Sequence, residues 1–441
     1  MDIHSIEQVY NKMERNSKGN VINNHENVLI VFEEDENLIG FFRTNEFTQM
    51  KEVNRLPFWR KSGDKNKQWT DIDEAQLLVY LGKTYNLTNK RQILEVLDSI
   101  FYKHSYNPIT NYLNSLKWDG DHRLETLFID YLGASDNVYT REVTRTAFIA
   151  CIMRAFEPGS KHDTVAVLVG EQGIGKSHLL SKMGMNWYNE SIQSFQGDEA
   201  YIKISTSWII ELSELTELTA LKRGDSESIK AFISAKEDIY RPKYGRYPIQ
   251  STRKCVFFGT TNNIEFLKDE TGNRRWLPIQ LAKGRRTKCP FSELSQEVVN
   301  QIWAEAKVYY DQGAKTILTN PESIQTALAL QEQHREDNGL KGKIEEFLKL
   351  PITHDWYELS NVEKQRYFQE KLYKNTDQLL EKRGKICSWE IWHECFHNKN
   401  TIPKKQAAEI NNVLRQIKGM KETRTSFGCH GQQRGFMIMQ E

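Results

Sequence analysis

The sequence has 441 residues, with 60 Lys and Arg against 59 Asp and Glu, a formal net charge of +1 and 39% hydrophobic residues. This composition is typical of a globular protein of roughly two to four domains, and it excludes both a disordered chain and a protein that coats polyanions through bulk charge. With no apolar run near the ~20 residues of a membrane span, no signal segment and six scattered cysteines without a CxxC pair, we expect a cytoplasmic protein without membrane partner, disulfides or zinc.

The first part of the chain is expected to be mostly helical. Two short β-rich runs, 28–32 and 38–42, flank an acidic segment and predict a β-hairpin. Helical spacing then extends over 71–116, with breaks near Asn86 and at Pro108, and over 122–156. We predict an N-terminal domain made of this hairpin and helices.

Buried strands begin at residue 164. The segment 164–169 is a continuous apolar run rich in β-branched residues, which is typical of a strand covered on both faces. Similar runs recur at 208–210 and 255–258, and helical segments lie between them. This alternation predicts an α/β fold with a parallel sheet.

The first buried strand leads into a glycine-rich segment, Gly170–Ser177, that fits G-x-x-x-x-G-K-[ST] and precedes a helix-forming run. Such a loop points backbone N–H groups at phosphate oxygens. We expect Lys176 to reach the β- and γ-phosphates of ATP and Ser177 to ligate Mg²⁺, the alternative being a coincidental turn. The expected nucleotide contacts are Gly170, Glu171, Gln172, Gly173, Ile174, Gly175, Lys176, Ser177 and His178.

Polar residues follow the next two strands. A P-loop NTPase needs an acid at the end of a neighbouring strand to hold the Mg²⁺ shell, and usually a second carboxylate to polarise water. Glu211 is predicted to serve the metal and the water, with Glu214 as its partner or as a solvated or ion-paired residue. Asn262, after the third strand, is predicted to contact the γ-phosphate or orient the attacking water.

Two basic segments complete the pattern. Arg274 and Arg275 are candidates to neutralise transition-state charge, often in a neighbouring subunit, although structural salt bridges are the alternative. Between the second and third strands, 239–248 places cations and aromatic rings around a glycine. Such a tip suits contact with single-stranded nucleic acid, unless it is an ordinary hairpin with cation–π pairs.

The end of the chain differs in charge from the rest. After a mostly helical span, 291–380, two short helices are predicted at 388–396 and 403–417, followed by two β-rich pieces. Residues 381–441 hold eleven Lys and Arg against six Asp and Glu, a local charge of +5. This local charge favours an anionic partner for the last sixty residues.

Together with segments 106–120 and 158–161, these motifs resemble the virulence-associated protein E family, ATPases of phages and mobile islands related to superfamily III helicases. The resemblance implies an AAA+-type P-loop ATPase core that assembles as a hexameric ring. It implies a mostly helical N-terminal domain over 1–120, the ATPase core over 121–310, a helical linker over 311–380 and a winged-helix-like DNA-binding domain over 381–441. Because the first ~110 residues are short and show neither a zinc cluster nor a paired-aspartate motif, we expect no built-in primase in them, so a primase partner would be a separate protein.

The resemblance also implies roles for individual residues. Glu211 and Glu214 would be Walker B carboxylates, Asn262 the sensor, and Arg274 or Arg275 the trans finger. Because Leu212 follows Glu211 where most AAA+ ATPases have adjacent acids, the activating base stays open. The remaining implied contacts are with single- or double-stranded DNA, through pore-hairpin residues Lys243, Tyr244 and Arg246 and winged-helix residues Lys404, Lys405, Arg415 and Arg424. A winged module used for protein contact is the alternative for the last four.

The implied function is that of an ATP-driven, DNA-translocating motor, a replicative helicase or helicase loader of a mobile element. A DNA-binding regulator in which ATP only sets the oligomeric state is a second possibility. A P-loop kinase acting on a small molecule is a third, although a kinase does not need an arginine pair outside its own site.

Overall fold

A computed structural model of the protein describes residues 3–192, 198–213, 223–241, 248–267, 273–334, 339–374 and 379–439. The chain divides into two compact units, Met1–Arg335 and Glu336–Glu441, and each is described by itself. The four-part division predicted from the sequence is finer and stays a prediction. Within the described ranges, every helix is too short or too polar to cross a bilayer.

The N-terminal part of the first unit packs helices around a small sheet. Strand β1 pairs with β2 in antiparallel and with β3 in parallel orientation. The core beneath the sheet is aromatic: the ring of Phe42 contacts those of Phe32 and Phe101 at centroid distances of 5.2 and 5.3 Å. The elements are α1 (Ile3–Lys12), α2 (His25–Glu34), β1 (Phe42–Asn45), β2 (Met50–Val53), α3 (Asp71–Tyr85), α4 (Lys90–Lys103), β3 (Ser105–Tyr106) and α5 (Pro108–Ser115).

The hairpin predicted for 28–32 and 38–42 is wrong, because the first run lies inside helix α2. Asn24 caps this helix by accepting a hydrogen bond from the Asn27 N–H at 2.9 Å. Val28, Val31 and Phe32 are buried at helical spacing, so packing against the aromatic core overrides the strand preference of these β-branched and aromatic side chains. The hairpin of this region is instead β1–β2.

The rest of the first unit contains the predicted parallel sheet. Five parallel strands lie in the order β10-β4-β9-β6-β5, so the prediction of a parallel α/β sheet is confirmed. The elements are α6 (Leu127–Leu132), α7 (Val138–Phe156), β4 (Val165–Val169), α8 (Lys176–Gly184), β5 (Tyr188–Asn189), α9 (Asp198–Ser205), β6 (Ile209–Leu212), α10 (Arg223–Ser234), β7 (Glu237–Tyr240), β8 (Ile249–Thr252), β9 (Val256–Thr261), β10 (Trp276–Gln280), α11 (Gln296–Asp311) and α12 (Pro321–Gln333).

Both faces of this sheet are covered, which explains the continuous apolar runs. Ala166 and Leu168 of β4 belong to the core shared with α7, α8 and α11. Val165 and Val167, which alternate with them, belong to the core on the opposite face, shared with α9 and α10. Because all five strands run the same way, their carboxyl ends lie along one edge of the sheet, where α/β folds bind ligands.

The second unit is a smaller α+β assembly. Its three-stranded antiparallel sheet has the order β13-β15-β14, and the predicted sequence of two helical pieces followed by a β-ribbon is present. A winged helix for this unit stays a prediction. The elements are α13 (Leu340–Leu348), β11 (Ile352–Thr353), α14 (Asn361–Gln369), β12 (Leu380–Glu381), β13 (Lys385–Ile386), α15 (Ser388–Glu390) continued by a π-helical turn (Ile391–Cys395), α16 (Lys404–Gln416), β14 (Met420–Ser426) and β15 (Gln432–Ile438).

Candidate functional site

The glycine-rich segment forms the turn between β4 and α8 that the sequence predicted. Gly173 and Gly175 have φ angles of +78° and +105°, which favour glycine, and a Cβ on Gly175 would lie 2.6 Å from Cγ of Pro290. Gly175 begins helix α8 without a side-chain cap. The first N–H groups of α8 therefore depend on a ligand or water for partners, as at a phosphate site.

Lys176 connects this loop to the third predicted motif. Its ammonium donates to the carbonyl oxygens of Gly170 and Glu171, at 2.6 and 3.0 Å, and to Oδ1 of Asn262 at 2.9 Å. Only 8% of the Lys176 surface is exposed, and this burial lowers the pKa of its ammonium, opposed by the charge of Glu211. The structure thus brings Lys176 and Asn262 together, as a shared phosphate contact requires.

Glu211 lies fully buried in β6 and accepts hydrogen bonds from three hydroxyl groups. Ser177 Oγ donates to its Oε1 at 2.7 Å and Thr260 Oγ1 donates to the same oxygen at 2.5 Å. The hydroxyl of Tyr188 donates to Oε2. The carboxylate is therefore held beside the end of the glycine loop by groups that carry no charge.

Tyr188 and Thr260 are two functional candidates that sequence reasoning missed. Tyr188 lies in the two-residue strand β5, opposite Ile209 of β6, and no motif marks it. Burial and the hydrogen bond to Glu211 raise the pKa of Tyr188 far above its usual value, which keeps the phenol a donor. The third strand was predicted to end at residue 258, which left Thr260 in the following loop. Because β9 instead extends to Thr261, the Thr260 hydroxyl lies within the sheet next to Glu211.

The Ser177–Glu211 pair fits a divalent cation of the magnesium type. Mg²⁺ prefers oxygen ligands and is commonly bound by one or two carboxylates, waters and substrate phosphates. The Ser177 hydroxyl and the Glu211 carboxylate supply two such oxygens next to the loop. No cluster of three His, Cys, Asp or Glu side chains suited to a metal ion occurs among the described residues, so phosphate oxygens would complete this shell.

The structure does not bring the arginine pair into this site. Arg274 and Arg275 lie in a 3₁₀ turn before β10, whose first residue, Trp276, is level with Val165 at the start of β4. Four steps along β4 therefore separate the pair from the glycine loop, about 13 Å at ~3.3 Å per residue. Arg275 Nε donates to Ser234 Oγ at 2.9 Å, whereas Arg274 is exposed and has no hydrogen-bond or ion-pair partner among the described residues.

The two strands that flank the basic and aromatic insert lie near the same, amino-terminal edge of the sheet. Strands β7 and β8 form an antiparallel hairpin, with Tyr240 opposite Ile249, and β8 leads directly into the start of β9. At its base, the buried Arg253 guanidinium pairs with Asp238 at 2.6 Å. The predicted contacts Lys243, Tyr244 and Arg246, and also Glu214, lie outside the described residues.

The predicted DNA contacts of the second unit lie on α16 and β14. Lys404 and Lys405 are exposed in the first turn of α16. Arg415, near its end, pairs with Glu422 and donates to Asn412. Arg424 is exposed and lies directly opposite Arg434 on the ribbon. Like charges in that position repel, so this pair favours an anionic partner.

Strand β4, the glycine loop, helix α8 and the acidic end of β6 belong to an α/β domain with a parallel central sheet. The chain belongs to the virulence-associated protein E-like family, whose domain model matches residues 113–336, just over half of the sequence. None of the curated proteins compared with the chain matches it.

Solved structures with similarity to the chain include two of one region. The apo structure of the NrS-1 C terminal region (305-718) is 13% identical, with a TM-score of 0.46 over 90% of this chain and 96% of that chain. An A form apo structure of the same region is 14% identical over the same shares, with a TM-score of 0.45.

Proposed function

We propose that the protein is an ATP-hydrolysing, DNA-translocating motor that serves the replication of a phage or other mobile genetic element. The observation that carries this proposal is the convergence of Lys176, Ser177, Asn262 and Glu211 at one edge of the sheet. Each supplies a chemically distinct part of a phosphoryl-transfer site, and family membership supports the same conclusion.

In the proposed site the three phosphates of ATP occupy the glycine loop. Lys176 exchanges its contacts with the loop carbonyls for the β- and γ-phosphates, and Asn262 orients the γ-phosphate or the attacking water. Ser177 and Glu211 would hold Mg²⁺, which would neutralise charge on the phosphates. Glu211 or Glu214 would accept a proton from the water as its oxygen bonds to the γ-phosphorus and the bond to the β–γ bridging oxygen breaks, so that ADP and phosphate leave.

An arginine from a neighbouring subunit completes the site in this proposal. Because the arginine pair lies about 13 Å along the strands from its own loop, we propose that it serves the nucleotide of another copy. Arg274 is the better finger because it is exposed, whereas Arg275 is tied to Ser234. This arrangement requires a homo-oligomer, for which the family resemblance implies a ring.

Subunit mixing tests the trans arrangement. We expect Arg274→Ala to lower turnover about 1,000-fold, as the loss of an arginine finger does, and Lys176→Ala to be inactive. Mixed in equal amounts, the two variants are expected to recover up to about a quarter of wild-type turnover, because about one interface in four then joins an intact loop to an intact arginine. Turnover is measured by phosphate release over a series of mixing ratios.

The control for this experiment is a mixture of Lys176→Ala with Ser177→Ala, both of which damage the same half-site. That mixture is expected to stay inactive at every ratio. If the Arg274→Ala mixture is equally inactive, the arginine acts within its own chain and the trans proposal fails.

The hairpin between β7 and β8 is proposed to contact the DNA strand. We expect single-stranded DNA to raise the ATP turnover of the wild-type protein. In the double variant Lys243→Ala with Arg246→Ala, the ratio of turnover with DNA to turnover without DNA is expected to fall to about one. The same double variant is expected to lose strand displacement. Because each phosphate contact contributes about 0.7 to the salt slope of single-strand binding, the slope is expected to fall by about 1.4 per hairpin.

The matched double variant Lys61→Ala with Lys65→Ala removes two exposed cations from the segment between β2 and α3. It is expected to keep the stimulation of ATP turnover by single-stranded DNA. Stimulation that survives in the hairpin variant would contradict the assignment of the hairpin. A wild-type protein that binds DNA and hydrolyses ATP without displacing a strand would favour the regulator over the motor.

A further inference from the structure

Phe291 is a large aromatic side chain that lies exposed next to the glycine loop and is not part of a hydrophobic core cluster. Phe291 is 56% exposed, and its ring lies 4.8 Å from the ring of His178, two residues after Lys176. Exposed single hydrophobic residues are common, so exposure alone carries little weight. The position of this ring against the loop is what requires an explanation.

The segment that carries Phe291 is fastened to the glycine loop. Pro290 is buried against Gly175, where an added Cβ would lie 2.6 Å from Pro290 Cγ and 3.5 Å from Cζ of Phe291. Upstream, Leu281 N donates to Val169 O at 2.8 Å, directly before the loop begins. Phe291 is thus held next to the glycine loop by contacts of the residues that precede it, Pro290 and Leu281.

Further bonds fix this segment to α6. Lys288 donates from its N–H to the Asp130 carbonyl oxygen at 2.9 Å and from its ammonium to the Asp130 carboxylate at 3.0 Å. Arg285 Nε donates to the Gly133 carbonyl oxygen at 3.0 Å. An aromatic ring on a segment held in this way is already ordered, so a ligand that stacks on it loses little conformational entropy of the protein.

The neighbouring histidine gives an independent indication of a ligand. Nε2 of His178 is buried but has no hydrogen-bond partner among the described residues. A buried polar atom without a partner costs free energy unless a ligand or water satisfies it. A flat, polar-edged ring that stacks on Phe291 would cover the exposed aromatic face and bring hydrogen-bonding groups near His178.

We propose that Phe291 and His178 form the wall on which the nucleobase of the bound nucleoside triphosphate stacks. The inference rests on the proposed function, because it places the base beside the loop that takes the phosphates. A nucleobase is the occupant that fits: the wall is continuous with the phosphate loop, and a base has both an aromatic face and a polar edge. The wall therefore supplies affinity for the nucleoside part of ATP.

The test separates the base from the phosphates by using two probes, ATP and inorganic tripolyphosphate, which carries no base. The loss of a stacking surface for one base is expected to weaken ATP binding about 5- to 150-fold in Phe291→Ala, while tripolyphosphate binding changes less than about twofold. Both affinities are measured by calorimetry with Mg²⁺, and Phe291→Trp is expected to restore ATP binding. Tyr102→Ala, which removes an exposed aromatic residue from α4, is the matched control.

Equal weakening of both probes would mean that Phe291 only supports the loop, and unchanged binding of both would mean that the base lies elsewhere. Either result overturns the inference while leaving the proposed function intact. A wild-type protein that binds neither probe would instead overturn the proposed function. Because Phe291 is more than half exposed, the alanine variant is expected to keep the wild-type melting temperature, which checks that it folds.

Discussion

Replacing Lys176 with alanine is expected to abolish ATP hydrolysis, with turnover reduced by at least about 100- to 1,000-fold. The ammonium is the buried cation that contacts the glycine loop and Asn262, so its loss leaves the transferring phosphate without compensating charge at the centre of the site. The carbonyl groups of Gly170 and Glu171 would also lose their hydrogen-bond donor, so the conformation of the loop would be less stable. Phosphate release under saturating ATP measures the effect.

The control for this variant is Lys182→Ala, which removes an exposed lysine from the same helix, α8. We expect turnover within about twofold of wild type, because surface substitutions rarely change a folded protein much. Turnover that persists in Lys176→Ala would mean that the loop does not bind the transferring phosphate.

Replacing Glu211 with glutamine is expected to lower turnover about 100-fold or more while ATP binding is retained. Glutamine has nearly the same shape, but it loses the negative charge and presents an NH₂ group to hydroxyl donors that expect an acceptor. The three hydroxyl groups around the carboxylate would have to reorient. Binding of Mg²⁺ to the remaining side-chain oxygen would be weaker because that oxygen no longer carries negative charge. Turnover, ATP affinity and the Mg²⁺ concentration for half-maximal activity are the measurements.

Two further variants sharpen this prediction. Tyr188→Phe removes one donor but leaves the charge, so a reduction of about 10- to 150-fold is expected, in line with one hydrogen bond to a charged group. Glu214→Gln tests the other carboxylate. If Glu211→Gln turns over normally and Glu214→Gln does not, the activating base is Glu214 and Glu211 has a structural role.

The sequence was sufficient to predict the groups at the carboxyl edge of the sheet. In a parallel sheet the ends of buried strands meet at one edge, so Lys176, Glu211 and Asn262 could be placed near each other from the strand pattern alone. Their hydrogen bonds agree with that expectation, while their chemical roles remain predictions. Each of these strands is a continuous apolar run that is followed by polar residues, which is why its end could be located in the sequence.

Other parts of the site could not be predicted, because they depend on packing between distant segments. Tyr188 sits on a two-residue strand, too short to leave a hydrophobic period, and reaches Glu211 only through its pairing with β6. Phe291 lies more than a hundred residues from the glycine loop, and only their packing brings it there. The strand predicted for 28–32 was wrong for a related reason. The local strand preference of these residues is overridden because one face of helix α2 is buried.

The separation of the two edges of the central sheet limits how copies of this chain can associate. The proposed contact joins the amino-terminal edge of one sheet, which carries Arg274 and Arg275, to the carboxyl edge of the next, which carries the glycine loop. Because it uses two different surfaces, such a contact is head-to-tail rather than twofold symmetric. Repetition of such a contact closes into a ring when the rotation between neighbours divides a full turn, and otherwise grows into an open filament. If an arginine acts in trans as proposed, every nucleotide in a closed ring would have its arginine, whereas an open row would leave one terminal nucleotide without it. Closure would therefore be a condition for equivalence of the sites.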